Sequence, residues 1–139
     1  MILLDTNVLS ALMREKPDAE VIRWLDRQPR TSIWTTSITT FEIRFGLQIM
    51  ATGRRSSALV EAFDQLLSNI LQNRVAYFDS TAAEQTADLM AVRQKAGRSG
   101  ELRDAMIAGI AIASHAALAT RNVKHFEDIS VPVINPWHP

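Results

Sequence analysis

Three acidic residues from separate parts of the chain sit where chemistry could be done. Asp5 follows the apolar run Met1–Leu4, Glu42 falls in the first turn of a helix expected after Ser32–Thr36, and Asp104 opens an apolar helix. In sheets flanked by helices, ligands bind beyond the carboxyl ends of the strands, so one strand edge would gather all three. Converging carboxylates repel one another and raise each other's pKa unless a cation neutralises them. Mg2+ or Mn2+ suits such a set, because it takes few carboxylates, keeps several waters and accepts phosphate oxygens. The chemistry this supports is metal-assisted attack of water on a phosphodiester. Three carboxylates against one dication leave one negative charge over, for a second metal or a cationic side chain to offset. Thr6, Asn7 and Thr120 flank the expected site and could position water or substrate, and Arg121 could meet a phosphate.

Each acid also has a purely structural role open to it. Asp5 could cap the helix after it. Glu42 could close a capping box with Thr39, three residues earlier. Asp104 could complement the positive end of its own helix. Asp79, in Asp79-Ser80-Thr81, fits a cap best and is left out of the site. Asn7 and Thr6 could satisfy turn backbone groups, and Arg121 could form a surface ion pair.

The elements that must position these residues follow from pattern. Met1–Leu4, Ser32–Thr36, Arg74–Phe78, Leu118–Thr120 and Val131–Ile134 read as short strands, apolar on both faces. Between them lie helical patterns over Val8–Met13, Ala19–Arg27, a stretch starting near Ser37–Thr39 and running through Leu47–Ile49, Ala58–Leu71, Thr81–Ala96 and Asp104–Ala117, the last apolar on nearly every side. Short buried strands alternating with helices predict a three-layer α/β/α domain around a short, mostly parallel sheet, one domain over residues 1–139. The Trp residues at 24, 34 and 137 read as core or interface.

Composition narrows the class. The chain has 139 residues, no Cys, and 15 Lys plus Arg against 15 Asp plus Glu. Thiolate metal sites, Cys nucleophiles and disulfide scaffolds are excluded. No apolar run approaches the ~20 residues of a membrane span, and no basic leader precedes the first strand, so a soluble cytoplasmic protein is expected. Zero net charge excludes a crude polycation, yet 12 of the 15 cations are Arg, whose planar fork suits phosphate oxygens. Arg44, Arg54, Arg55 and Arg103 are candidates for an RNA-facing rim around the acids.

The segments ILLDTNVLS, TTFEI, RDAMIAGIAI, LATRNVKHF and VINPW, in that order and spanning the chain, resemble a PIN domain. Within that family they are most similar to the VapC-like and FitB-like toxins of bacterial toxin–antitoxin pairs. The resemblance implies a Mg2+- or Mn2+-dependent endoribonuclease, with Asp5, Glu42 and Asp104 as the acids that hold metal. It implies a small cognate antitoxin, VapB-like or FitA-like, that blocks the site and carries operator-DNA binding, and a toxin homodimer. One departure stands out: where many PIN domains have a fourth acid, this chain has Asn122. An amide oxygen can ligate a cation or orient water but adds no charge, so one tightly bound metal is expected. Glu101 and Asp128 are the candidates to replace the missing charge, though no pattern locates them. The helices over Leu47–Leu71 are the expected antitoxin groove.

Two other readings compete. A haloacid-dehalogenase-type phosphohydrolase also opens with a strand and an Asp, but needs a second Asp where Asn7 stands. A PIN scaffold that only binds RNA or a protein would not need all three acids. A metal-free route through the RNA 2′-hydroxyl wants His as base and acid; His115 reads as a helix C-cap, His138 is terminal, and His125 neighbours Asn122.

Overall fold

The computed structural model describes residues 1–139. Five strands, β1 (Ile2–Leu4), β2 (Ile33–Thr36), β3 (Val75–Ala76), β4 (Ala117–Ala119) and β5 (Val133–Ile134), form one sheet in the order β3-β2-β1-β4-β5. Every neighbouring pair is parallel. The helices are α1 (Thr6–Met13), α2 (Ala19–Asp26), α3 (Ser37–Ile49), α4 (Arg54–Gln65), α5 (Ser80–Lys95) and α6 (Leu102–Ser114).

Strand alternation divides the core. Leu4 and Ala119 point to one face, where they join Val8, Leu9, Trp24, Ile43 and Phe63 from α1 to α4. Leu3 and Leu118 point to the other, among Ala82, Leu89, Ile107 and Ile110 of α5 and α6. Side chains two apart share a face, so a pair such as Leu3-Leu4 anchors both layers at once. Both residues are fully buried, each stabilising the fold by about 1.5–3 kcal/mol. Trp24 and Trp137 are core residues, and Trp34 packs against the second cluster.

The expected three-layer α/β/α architecture is present, with shorter edges than the pattern suggested. The strand expected over Arg74–Phe78 pairs only at Val75–Ala76, and the last begins at Val133 rather than Val131. Pro132 has no N–H to give the ladder, although its carbonyl still accepts from Leu118. The helix expected over Ala58–Leu71 starts earlier, at Arg54, and turns into a π-turn over Leu66–Ile70. The last long helix runs three residues short of the expected Ala117. His115 ends it in the left-handed region (φ 51°), donating its backbone N–H to Ala111 and Ile112. The main chain, not the expected imidazole, makes that cap. No helix is long and apolar enough to cross a membrane.

The α3–α4 pair does form a helical hairpin, tied by Arg44, whose Nη2 lies 2.9 Å from Asp64 Oδ1 and whose guanidinium covers the Phe63 ring. Between the helices lies a cleft of about 530 Å3, and along the outside of α3 run the exposed side chains Phe41, Phe45 and Ile49.

On the opposite face α5 and α6 meet at Gly109. A Cβ there would stand 1.8 Å from Thr86 Oγ1 and 2.8 Å from the Ala82 carbonyl oxygen. Thr86 Oγ1 meanwhile donates to that Ala82 carbonyl at 2.8 Å. A residue with any side chain at 109 must therefore wedge the helices apart. Gly109→Ala is expected to cost about 1–3 kcal/mol in denaturant unfolding. Adding Thr86→Ala should restore only part of it, because the Ala82 backbone oxygen remains in the way.

Candidate active site

Register builds the site before any side chain is considered. Leu4 of β1 stands opposite Ala119 of β4 and Thr35 of β2. The next row therefore sets Asp5 beside Thr120 on one side and Thr36 on the other. The backbone N–H of Asp5 still donates to Ala119 O at 2.9 Å, which holds the acid against the strand edge. Asp5 then begins α1, Thr36 begins α3, and α6 brings Asp104 from the second layer.

Asp5 is 3% exposed. Its Oδ1 accepts the Thr6 N–H at 2.8 Å, so the helix-capping role foreseen for it is real. Its Oδ2 does something else: it accepts from Thr120 Oγ1 at 2.7 Å and from Asn7 Nδ2 at 3.3 Å. Thr120 Oγ1 also accepts from Asn7 Nδ2 and the Asn122 N–H. With both lone pairs filled, the Thr120 hydroxyl proton can only go to Asp5. All donors to Asp5 are neutral. Burial pushes its pKa above the usual carboxylate value, with the Asp104 charge adding to the rise and the three hydrogen bonds opposing it.

Glu42 is the acid whose local reading changes most. The helix starts at Ser37, capped by Thr36 Oγ1, which accepts the Thr39 N–H at 3.0 Å. Glu42 thus lies in the second turn, not the first, and closes no capping box with Thr39. Its carboxylate turns to α1 instead, accepting from Thr6 Oγ1 at 2.9 Å. Arg103 Nη1 approaches its other oxygen at 3.8 Å. Burial raises the Glu42 pKa too, against the lowering effects of Thr6 and Arg103.

Asp104 occupies the third position of α6. The cap is Glu101, whose carboxylate accepts the Asp104 N–H at 2.9 Å. Asp104 Oδ2 lies 2.8 Å from His125 Nδ1. His125 rides on the 3-10 turn Val123–Phe126, which Arg93 locks from α5. The Arg93 guanidinium donates to both oxygens of Asp128 at 2.8 Å and to the His125 carbonyl at 3.1 Å. Hydrogen bonding to Arg93 holds the Asp128 pKa below the usual range. Asp128 is therefore a structural counter-ion and does not replace a missing charge at the site. Glu101 stands beside the site, shared between the α6 cap and Arg103 at 3.1 Å.

The supporting residues behave differently from expectation. Asn7 spends its amide on Asp5 and Thr120, and its carbonyl oxygen accepts the Arg121 N–H at 3.0 Å. It buttresses Asp5 through both N–H bonds and keeps one lone pair of its amide oxygen unused. Thr6 links Glu42 to the start of α1. Arg121 stacks on Trp137, 4.7 Å from the ring centroid, and pairs with no carboxylate. The Asn122 side chain makes no hydrogen bond to protein. Of the expected Arg rim only Arg103 reaches the acids; Arg44 braces the α3–α4 hairpin, and Arg54 and Arg55 lie with Arg14 near the far end of α1. Sequence reasoning missed Glu101 as a cap, because Glu is an unusual N-cap residue. It missed the His125–Asp104 contact because nothing in a 21-residue separation signals it.

The fit of a hard divalent cation rests on the donors. Asp5, Glu42 and Asp104 offer only oxygen, and two of them carry a burial penalty that no protein cation cancels. As placed, no three acidic or His side chains close on a common point. Each carboxylate has its own partners: Thr6, Asn7 and Thr120 for Asp5, Thr6 and Arg103 for Glu42, and His125 for Asp104.

Residues 2–131 match the PIN domain. The chain belongs to the PIN-domain family. This PIN domain is 41% identical over 137 residues, 99% of each chain, to plasmid stability protein StbB of Pseudomonas syringae pv. tomato. It is 37% identical over 139 residues, covering 100% of this chain and 99% of the relative, to VapC ribonuclease Y4jK of Sinorhizobium fredii. Toxin FitB of Neisseria gonorrhoeae is 32% identical over 138 residues, 99% of each chain. The crystal structure of FitAcB from that organism superposes with a TM-score of 0.89 at 32% identity, covering 100% of both chains.

A carboxyl whose pKa is raised by folding is protonated more readily in the folded than in the unfolded chain. Its contribution is thus lost as pH rises from its unfolded value of 3.8 through the folded one. Comparing Asp5→Asn with the parent in EDTA, the variant should gain relative stability as pH rises above the ordinary carboxylate value of 3.8. Altered hydrogen bonds add a constant offset; the pH trend isolates the ionisation, and a flat difference would contradict the burial of a charged Asp5. Asp128→Asn should do the opposite, losing about 2–3 kcal/mol at neutral pH and little below the carboxylate range.

Proposed function

We propose that this PIN domain is a Mg2+- or Mn2+-dependent endoribonuclease and the toxin of a toxin–antitoxin pair. The observation that carries the reading is Asp5, a desolvated carboxylate held at the strand edge by neutral donors, with Glu42 one hydrogen bond from its helix. The names of the relatives support it: one is a VapC ribonuclease and another a toxin. A divalent ion, when bound, polarises phosphate oxygens and makes water acidic enough to act as a nucleophile at neutral pH.

In this reading Asp5 and Asp104 would hold the ion. Thr120 and Asn7 keep the Asp5 carboxylate aimed, and His125 does the same for Asp104. Glu42, its pKa raised by burial, orients the attacking water and can take its proton. Water adds to phosphorus in line and the ribose 3′ oxygen leaves, which produces 5′-phosphate and 3′-hydroxyl ends. Net charge is zero, which suits operator DNA contact through an antitoxin of the VapB or FitA kind rather than by this chain. The exposed stripe Phe41, Phe45 and Ile49 offers apolar surface for a homodimer or for that antitoxin, in the cytoplasm where its RNA substrate lies.

Purified protein should cleave structured RNA in Mg2+ or Mn2+, stop in excess EDTA, and lose about a thousandfold or more in rate in Asp5→Ala or Asp104→Ala. Cleavage that survives chelation would overturn the mechanism. Since Asn122 brings no charge, calorimetric titration with Mn2+ should show one tight site, and Asn122→Asp should add a second. Two tight ions in the parent protein would contradict that expectation.

A further inference from the structure

Beside Asp104 lies a cleft of about 420 Å3 with no apolar side chain in its lining. Glu101 and Asp104 line it together with Arg93, Arg98, Lys124 and His125. The charges around it are not equally satisfied. Arg93 takes both oxygens of Asp128 at 2.8 Å, and Arg98 reaches Asp128 Oδ2 only at 3.6 Å, with half its side chain exposed. Lys124 has no carboxylate partner, while Glu101 is engaged by Arg103 and Asp104 by His125. The cleft thus carries Lys124 unpaired and Arg98 only loosely held by Asp128, two cations with capacity left for an anionic ligand.

Gly100 passes close to Arg93: a Cβ there would stand 3.2 Å from Nη1, the one guanidinium nitrogen that bonds neither Asp128 nor the His125 carbonyl.

Resting on the ribonuclease reading, we propose that this cleft binds an RNA backbone phosphate next to the one that is cut, with Arg98 and Lys124 as its cationic contacts. The Asp104 side chain belongs to both the cleft and the acidic site. A ligand engaging the two must therefore carry phosphates in series, as a polynucleotide strand does and a free anion does not. Arg98 extends from the 97–100 loop and Lys124 from the 3-10 turn, so two separate segments of the chain bring a cation to the cleft. Backbone phosphates give grip and register without sequence preference.

The test compares Arg98→Gln/Lys124→Gln with a charge-matched control, Lys16→Gln/Arg55→Gln, whose residues lie away from the cleft. Binding of a fluorescent single-stranded RNA in EDTA is measured against salt by anisotropy. The cleft variant should bind about tenfold more weakly. Its log–log salt slope should fall by about 1.4, at ~0.7 for each single-strand phosphate that is no longer neutralised. The control should match the parent in both. Where the parent cleaves RNA, the cleft variant should raise KM by a similar factor and leave kcat within about twofold. An unchanged salt slope or KM in the cleft variant would overturn the proposal, whether or not the parent cleaves. So would full displacement of RNA from the parent, but not the cleft variant, by millimolar inorganic phosphate, which would assign the cleft to a free anion. Altered RNA binding by the cleft variant of a parent that never cleaves would support the cleft and leave the nuclease reading refuted.

Discussion

The register between β1 and β4 is the constraint from which the site follows. Leu4 opposite Ala119 puts Asp5 beside Thr120, and a slip of one residue would turn every side chain of β1 to the wrong layer. Leu3 and Leu4 would bury equally well in either apolar layer, so what a slipped register would lose is the polar strand end, where the Asp5 N–H meets Ala119 O and its carboxylate meets Thr120. The hydrogen bonds around Asp5 then need no further ordering. Thr120, Asn7 and the Thr6 N–H are delivered to it by the strand and the helix start, so the carboxylate is aimed by backbone pairing.

The electrostatic cost of that arrangement is left standing. Asp5 and Glu42 are both held where burial disfavours their charge, and the nearest cation, Arg103, is divided between Glu42 and Glu101. A fold selected only for stability would place an Arg against Asp5 or replace it with an apolar residue. Elsewhere the chain does pair its buried charge: Arg93 and Asp128 form a bidentate bridge that lowers the carboxyl's pKa. The same molecule thus solves one buried carboxylate and leaves another unsolved, and the unsolved one stands at the strand edge where ligands bind.

Much of this is legible in the sequence, and for identifiable reasons. Buried strands of Leu, Ile and Thr alternating with helices announce a parallel three-layer fold, and strand-end rules bring Asp5, Glu42 and Asp104 to one side. What fails are readings that need distances. Thr39-x-x-Glu42 matches a capping box, yet Thr36 sits one turn earlier and takes the cap, which frees Glu42 for Thr6. Asp128 resembles a spare charge in the sequence, but Arg93, 35 residues earlier, holds both its oxygens. The hydrogen bonds that tie Asn7 to Asp5, Thr120 and the Arg121 N–H likewise cannot be read from its place beside Asp5. Charges can be counted from the sequence, but their pairings are properties of the packed chain.

The two outermost strands, β3 and β5, are only two residues long. A sheet edge that short presents almost no unpaired backbone for another chain to zip onto. Strand addition, the commonest route by which open sheets aggregate or swap partners, is therefore nearly closed to this molecule. Recognition of another chain then falls to side chains, which can be tuned residue by residue, rather than to the peptide backbone of the sheet.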